Sequence, residues 1–205
     1  MSRPLVISIE GIDGSGTTSV TDAAQKRFKN VKTTAEPAEQ FYTGEATRKA
    51  INDNKTHPMT DFHFFIGDRA YHIENTIKPA LKAGRTVITD RYLHSTFAYQ
   101  QVNLDGVVDE PEEYIHESMK EWVLYPNLTI LLDVPADVAA ERTSDDDKYE
   151  VSSFQKKVRQ NYLDLAEDDP SVITVDASQP KEKVMMESLT IIEEAMTQMH
   201  EEDGW

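Results

Sequence analysis

The chain of 205 residues contains no cysteine, which excludes disulfides, thiolate zinc sites and a cysteine nucleophile. Positive charge is scarce: 21 lysines and arginines stand against 37 acidic residues, for a formal charge of -16. That balance opposes broad binding to a nucleic-acid backbone or an anionic membrane, while leaving room for a nucleotide in a local pocket. The acidity suits a protein kept hydrated in concentrated salt and an ordinary acidic cytosolic protein equally well. No stretch of 18 uncharged apolar residues occurs, and MSRPLVISIEGIDG runs into a strand pattern without the apolar region and cleavage site of a secretory signal. A soluble, cytoplasmic protein is expected. The six histidines form no H-x-x-x-H pair, which argues against a catalytic metal held by imidazoles.

What is present is an alternation of two periodicities. Runs rich in Val, Ile, Leu and Thr at 5–10, 31–36, 85–90, 128–134 and 172–176 read as strands. Between them lie helical spacings, such as Ala23, Ala24 and Phe28, or Phe62, Phe65, Ile66, Ala70, Ile73 and Ile77. The pattern predicts one α/β domain over residues 1–205, a five-stranded parallel sheet with helices on both faces. Ligands of such sheets sit beyond the carboxyl ends of the strands. There the sequence places residues 11–18, Glu36, Asp90 with Arg91, and residues 176–179. The acidic stretch 200–203 reads as a frayed helix end.

The stretch GIDGSGTTSV, residues 11–20, matches the phosphate-binding pattern G-x-x-x-x-G-K-[ST] at every position but one. Gly11, Gly14, Ser15, Gly16, Thr17, Thr18 and Ser19 form the expected cradle for ATP phosphates, with the Thr18 hydroxyl for a metal ion, but threonine stands at 17 where the pattern has lysine. A dinucleotide fingerprint is the competing reading, because Glu36 follows Gly16 by 20 residues. The glycine order G-x-x-G-x-G decides against it, since that fingerprint needs G-x-G-x-x-G. Deletion of the lysine would turn the Ala23, Ala24, Phe28 face by about 100°, so position 17 reads as a true replacement.

At TDRYLHSTFAYQ, residues 89–100, the chain resembles the thymidylate kinase family. That family's glycine loop reads like GIDGSGKTT, its third strand ends in DR[YH], and a S-[ST]-x-A-Y-Q run follows. FFIGDRAYH, PNLTILLDVPADVAAERT and VDASQP resemble further family segments, in the family's order. The resemblance implies a P-loop kinase fold with a short lid, transfer of phosphate from ATP to dTMP with Mg²⁺, and a homodimer. It implies that Phe65 stacks on the pyrimidine while Arg69 and Thr96 face the base. Tyr99 then lies against the sugar and favours a 2′-deoxy nucleotide. Asp13 reaches the sugar or acceptor phosphate, Arg91 clamps that phosphate with Arg48 near it, and Thr18 and Asp90 hold the magnesium. Arg142 and Gln179 fall on the adenine side.

The lid departs from the family pattern. RTSDDDKYE, residues 142–150, is acidic, and Lys148 stands where the family carries an arginine. Lys148 is the expected source of the charge missing at Thr17, with the Thr17 hydroxyl and a bound monovalent cation as the other two. Two further readings stay open at this point: a kinase for another or 5-modified deoxypyrimidine monophosphate, and a nucleotide-binding module that has lost catalysis.

Overall fold

The computed structural model describes residues 4–142 and 152–202. Five parallel strands, β1 (Val6–Glu10), β2 (Val31–Ala35), β3 (Thr86–Asp90), β4 (Leu128–Asp133) and β5 (Val172–Asp176), lie in the order β2-β3-β1-β4-β5. β1 is central and buried along its whole length, as a β-branched strand covered on both faces should be. Alternation along it divides the core. Ile7 and Ile9 join Ile88, Leu132 and Val158 on one face, whereas Val6 joins Val87, Phe62, Ile73 and Ile77 on the other.

The helices α1 (Thr17–Arg27), α8 (Ser152–Asp168) and α9 (Lys181–Glu202) contribute to the first cluster, while α3 (Pro58–His72), α5 (Leu93–Asn103) and α6 (Pro111–Met119) contribute to the second. Three more helices, α2 (Tyr42–Ile51), α4 (Lys78–Lys82) and α7 (Ala136–Ala140), complete the described set. Between α3 and α4 the chain makes one wide turn over Ile73–Ile77, in which Lys78 N–H donates to the Ile73 carbonyl. Pro79 follows immediately and has no N–H to donate, which loosens the normal hydrogen-bond ladder here. No described helix is long and apolar enough to cross a membrane.

The strand pattern read from sequence is present, with shorter ends. β2 stops at Ala35 rather than 36: the Glu36 N–H still reaches the Asp90 carbonyl at 3.0 Å, but Pro37 follows and has no N–H to continue the ladder. β4 stops at Asp133, two residues before Pro135. β1 starts at Val6, since the Leu5 N–H pairs with the Thr86 side chain.

Registration brings the functional ends together: Ile9 faces Asp90 on β3 and Ile130 on β4. The chain adds β2 and β3 on one side of β1, then crosses to β4 on the other. The loop after β1 therefore opens where the strand order reverses, the usual ligand crevice of such sheets. One flank of the crevice depends on Gly44 of α2. A Cβ there would lie 2.2 Å from the Ala38 carbonyl carbon and 2.6 Å from the Glu39 nitrogen, a backbone collision that no rotamer relieves. Gly44→Ala should therefore cost about 1–3 kcal/mol, read as a lower urea midpoint with an unchanged m-value. An unaltered midpoint would mean that the Ala38–Glu39 segment moves freely.

Candidate active site

Gly11 begins the phosphate loop in a conformation and a space that only glycine fits: φ is +153°, and a Cβ would meet Ser15 Oγ at 2.5 Å and the Leu132 carbonyl at 2.8 Å. The loop ends at Gly16, left-handed at φ 99°, with no side chain capping α1. The first N–H groups of the helix are left open toward the cleft, the arrangement that binds phosphate. Thr17, Val20, Thr21 and Ala24 form the buried face of α1. This places Thr17 in register on the helix, as a replacement requires. Thr18 Oγ1 donates to Asp90 Oδ2 at 2.6 Å. A hydroxyl and a carboxylate at that separation fit Mg²⁺, which takes one or two protein oxygens and completes its octahedron with phosphate and water. Among the described residues no cluster of three or more His, Cys, Asp or Glu forms a dedicated metal cage.

Arg91 closes the crevice opposite the loop. It is the one described residue other than glycine with positive φ, 63°, a strained state that persists only where its surroundings fix it. Its N–H bonds the Ile9 carbonyl at 2.9 Å. Its Nη1 donates to the Gly11 carbonyl, and its Nη2 donates to Asp13 Oδ1 at 2.6 Å. The other Asp13 oxygen accepts from the Tyr99 hydroxyl at 3.0 Å and from Gln155 Nε2 of α8 at 2.7 Å. Asp13, Arg91 and Tyr99 thus form one corner, fixed to loop and helices before any ligand arrives. The guanidinium carbon sits 5.2 Å from the Tyr99 ring centre.

Beneath this corner Glu10 is fully buried and accepts from Ser95 Oγ and from the Tyr162 hydroxyl. Burial pushes its carboxyl above the usual range, against the pull of His94, the Ser95 hydroxyl and Arg91.

Beside the corner a cavity of about 110 Å³ is lined by Phe65, Arg69, Thr96, Tyr99 and Gln100, among others. Arg69, only 1 % exposed, donates through Nε and Nη2 to Glu36 Oε2 at 3.0 and 2.6 Å. It also donates to Thr96 Oγ1 at 2.7 Å, to the Tyr92 carbonyl at 2.8 Å, and weakly to Met119 Sδ at 3.6 Å. Those contacts occupy all five guanidinium N–H groups, so a base edge reaches Arg69 only by displacing one of them. Met119 Sδ is the weakest acceptor. Gln100 Nε2, by contrast, is buried without a partner.

Arg48 faces both this cavity and the larger cleft of about 950 Å³ and pairs with Glu39 at 2.9 Å. On the far side of the cleft Arg142 Nη1 donates to the Ala177 carbonyl at 3.0 Å, and Gln179 Nε2 approaches the Asp176 carbonyl at 3.3 Å. Lys148 lies outside the described residues.

The sequence model of the thymidylate kinase family matches residues 9–187. The chain belongs to the thymidylate kinase family. Proteins named as probable thymidylate kinases resemble it along nearly their whole length. The one from Natronomonas pharaonis is 34 % identical over 92 % of this chain and 97 % of its own. That of Methanoculleus marisnigri is 38 % identical over 88 % and 90 %, and that of Halorubrum lacusprofundi 36 % over 94 % and 99 %.

Within the family's motifs, the partners that sequence reasoning missed come from elsewhere in the chain. Gln155 meets Asp13 across 142 positions and Tyr162 meets Glu10 across 152, with no local spacing to announce either. Glu36 was visible only as an acid after β2. Its partner His72 closes the D-R-A-x-H run, with Nδ1 at 3.0 Å from Glu36 Oε1 and Nε2 at 2.7 Å from Thr34 Oγ1.

Burial opposes ionisation of Glu36, yet Arg69 and His72 together hold its pKa below the usual carboxylate value. A lowered acid pKa stabilises the fold above the unfolded value, about 4.3, and that stability is lost as pH falls through the folded value. Glu36→Gln should therefore cost about 3–5 kcal/mol at pH 7, the loss seen when one partner of a buried pair is removed. The deficit should shrink in urea titrations as the pH is lowered below the carboxylate range. A deficit independent of pH would assign Glu36 a purely steric role.

Proposed function

We propose that the chain transfers the γ-phosphoryl group of ATP to dTMP, giving dTDP, with Mg²⁺ as cofactor. Family membership supports this reading. The observation that carries it is the corner in which Arg91 bridges the phosphate loop and Asp13 at the mouth of the Phe65 cavity. It gives a donor-phosphate cradle and an acceptor pocket that share one guanidinium.

In this reading the open N–H groups of Gly14, Gly16, Thr17, Thr18 and Ser19 hold the donor phosphates, the Ser15 N–H being bonded to the Ile12 carbonyl, and Thr18 with Asp90 would hold the magnesium. The metal supplies charge neutralisation between donor phosphates. Arg91, whose planar fork matches phosphate oxygens, clamps the acceptor phosphate and exchanges part of its bonding to Asp13 for it. Arg48 turns from Glu39 toward the same group. Phe65 stacks on the thymine, Gln100 Nε2 donates to a base carbonyl, and Tyr99, tethered to Asp13, closes the space a 2′-hydroxyl would need. Arg142 and Gln179 border the adenine. The acceptor phosphate is already an anion, so positioning and electrostatics carry the reaction without a general base.

Absence of the loop lysine removes one fixed charge, a loss of about 2.7–4 kcal/mol of transition-state stabilisation by comparison with single donors in other sites. Positioning by backbone N–H groups does not depend on it. Cytoplasmic location and a homodimer complete the reading. Tyr42 and Phe64 of α2 and α3 are among the exposed apolar groups that such an interface could use.

The test is a panel of nucleoside monophosphates with ATP and Mg²⁺, with products identified by chromatography. The expected result is dTDP and ADP in equal amounts, with kcat/KM for dTMP at least tenfold above those for dCMP and the ribonucleotide. A preference for another pyrimidine monophosphate would move the acceptor assignment to that base.

A further inference from the structure

Glu10 ends the central strand β1 beneath the Asp13, Arg91 and Tyr99 corner, and the reaction proposed above makes no use of it. It is fully buried, and its two oxygens are treated unequally. Oε1 has no partner, while Oε2 accepts from Ser95 Oγ and from the Tyr162 hydroxyl at 3.2 Å. The two hydroxyls also touch each other at 2.7 Å. The Tyr162 oxygen stands 3.5 Å from Arg91 Nη1, a long contact that links Glu10 to the guanidinium.

Each hydroxyl has a single proton to donate and lone pairs with which to accept. Ser95 donates its proton to Glu10, so toward Tyr162 it can only accept. The Tyr162 proton therefore points at Ser95 and Glu10, and a lone pair is left for Arg91. Arg91 in turn directs Nη1 at the Gly11 carbonyl and the Tyr162 oxygen, and one N–H of Nη2 at Asp13. Among the described residues its Nε–H and its second Nη2 N–H have no protein acceptor. One edge of the planar fork is thus left for phosphate oxygens.

We propose that Glu10 is a positioning residue for the acceptor phosphate: by accepting both hydroxyl protons at Oε2 it turns the Tyr162 oxygen toward Arg91, which pins Nη1 and leaves the Nε–Nη2 edge aimed at the ligand. Without that acceptor the Tyr162 proton is free to swing toward the guanidinium, where donor would meet donor. Burial enlarges the difference between the two arrangements, because hydrogen bonds polarise one another more strongly away from water.

The inference rests on the reading of Arg91 as the clamp for the acceptor phosphate. Its test compares Glu10→Met, which keeps an unbranched chain of similar length without an oxygen acceptor, with Tyr162→Phe and the double variant. Turnover of dTMP is measured with ATP and Mg²⁺, and thymidine, which has the base and sugar but no phosphate, is measured as a competitive inhibitor. Glu10→Met should lower kcat/KM for dTMP at least tenfold while the thymidine inhibition constant stays within twofold of wild type. Tyr162→Phe should show the same split, and the double variant should lie within twofold of Tyr162→Phe, since Glu10 acts through that hydroxyl. Turnover by Glu10→Met within twofold of wild type overturns the proposal. So does a parallel loss for dTMP and thymidine, which marks damage to the whole cavity, and so do losses that multiply in the double variant. If Glu10→Met fails to fold, Tyr162→Phe decides alone, and wild-type turnover in it refutes the link. A wild-type protein that makes no dTDP overturns the kinase reading itself, and this inference with it.

Discussion

The contact on which the site depends is the bridge from Arg91 to the Gly11 carbonyl and the Asp13 carboxylate. It joins β3 to the loop after β1, so the two halves of the crevice cannot separate without breaking a charged bond. The bridge is a consequence of register. Ile9 lies opposite Asp90, which sets Arg91 one residue beyond the strand end, where a positive φ turns its side chain back across the loop. Tyr99 and Gln155 fix the remaining Asp13 oxygen, so the loop, α5 and α8 meet at a single carboxylate. Ordering these groups in advance removes entropy that a ligand would otherwise have to supply on binding.

A second, drier constraint supports the side of the Phe65 cavity. Glu36 and Arg69 are almost wholly buried and paired at 2.6 Å, with His72 as the third member. Such a triad adds little net stability over a well-packed apolar set, but it fixes the floor of the Phe65 cavity and the start of α2 through neighbours such as Asp68. The Asp68 carboxylate accepts from the Ala38 N–H at 2.7 Å and from Thr43 at 2.8 Å. The two constraints divide the work: one holds the phosphate-loop side of the cleft, the other the Phe65 cavity.

Much of this was legible in the sequence. The β-branched runs gave the strands to within a residue or two: the central β1, β3 and β4 are buried and need continuous apolar residues, while the largely unburied edge strands β2 and β5 are marked by their Val, Ile and Thr. The glycine spacing gave the loop, because Gly11 and Gly16 adopt positive φ there. The register of α1 also showed Thr17 as a replacement, and Thr17 indeed shares the buried face with Val20 and Ala24. What stayed hidden was the bonding state of the motif residues. Arg69 reads as a base-facing arginine, yet all its N–H groups are engaged within the protein, whereas Gln100, the last residue of the S-[ST]-x-A-Y-Q run, holds the unpartnered donor. Motif spacing records which residue types recur together. Which of them is saturated depends on contacts from distant segments such as α8.

The central claim is that Arg91 couples donor and acceptor phosphates in a loop without lysine. It is tested most directly by steady-state kinetics of Arg91→Ala with ATP and dTMP, alongside thermal unfolding and ADP binding. The account predicts a fall in kcat/KM of at least 100-fold, about 2.7 kcal/mol, with folding and ADP binding retained. Turnover within threefold of wild type in a folded Arg91→Ala protein would contradict it.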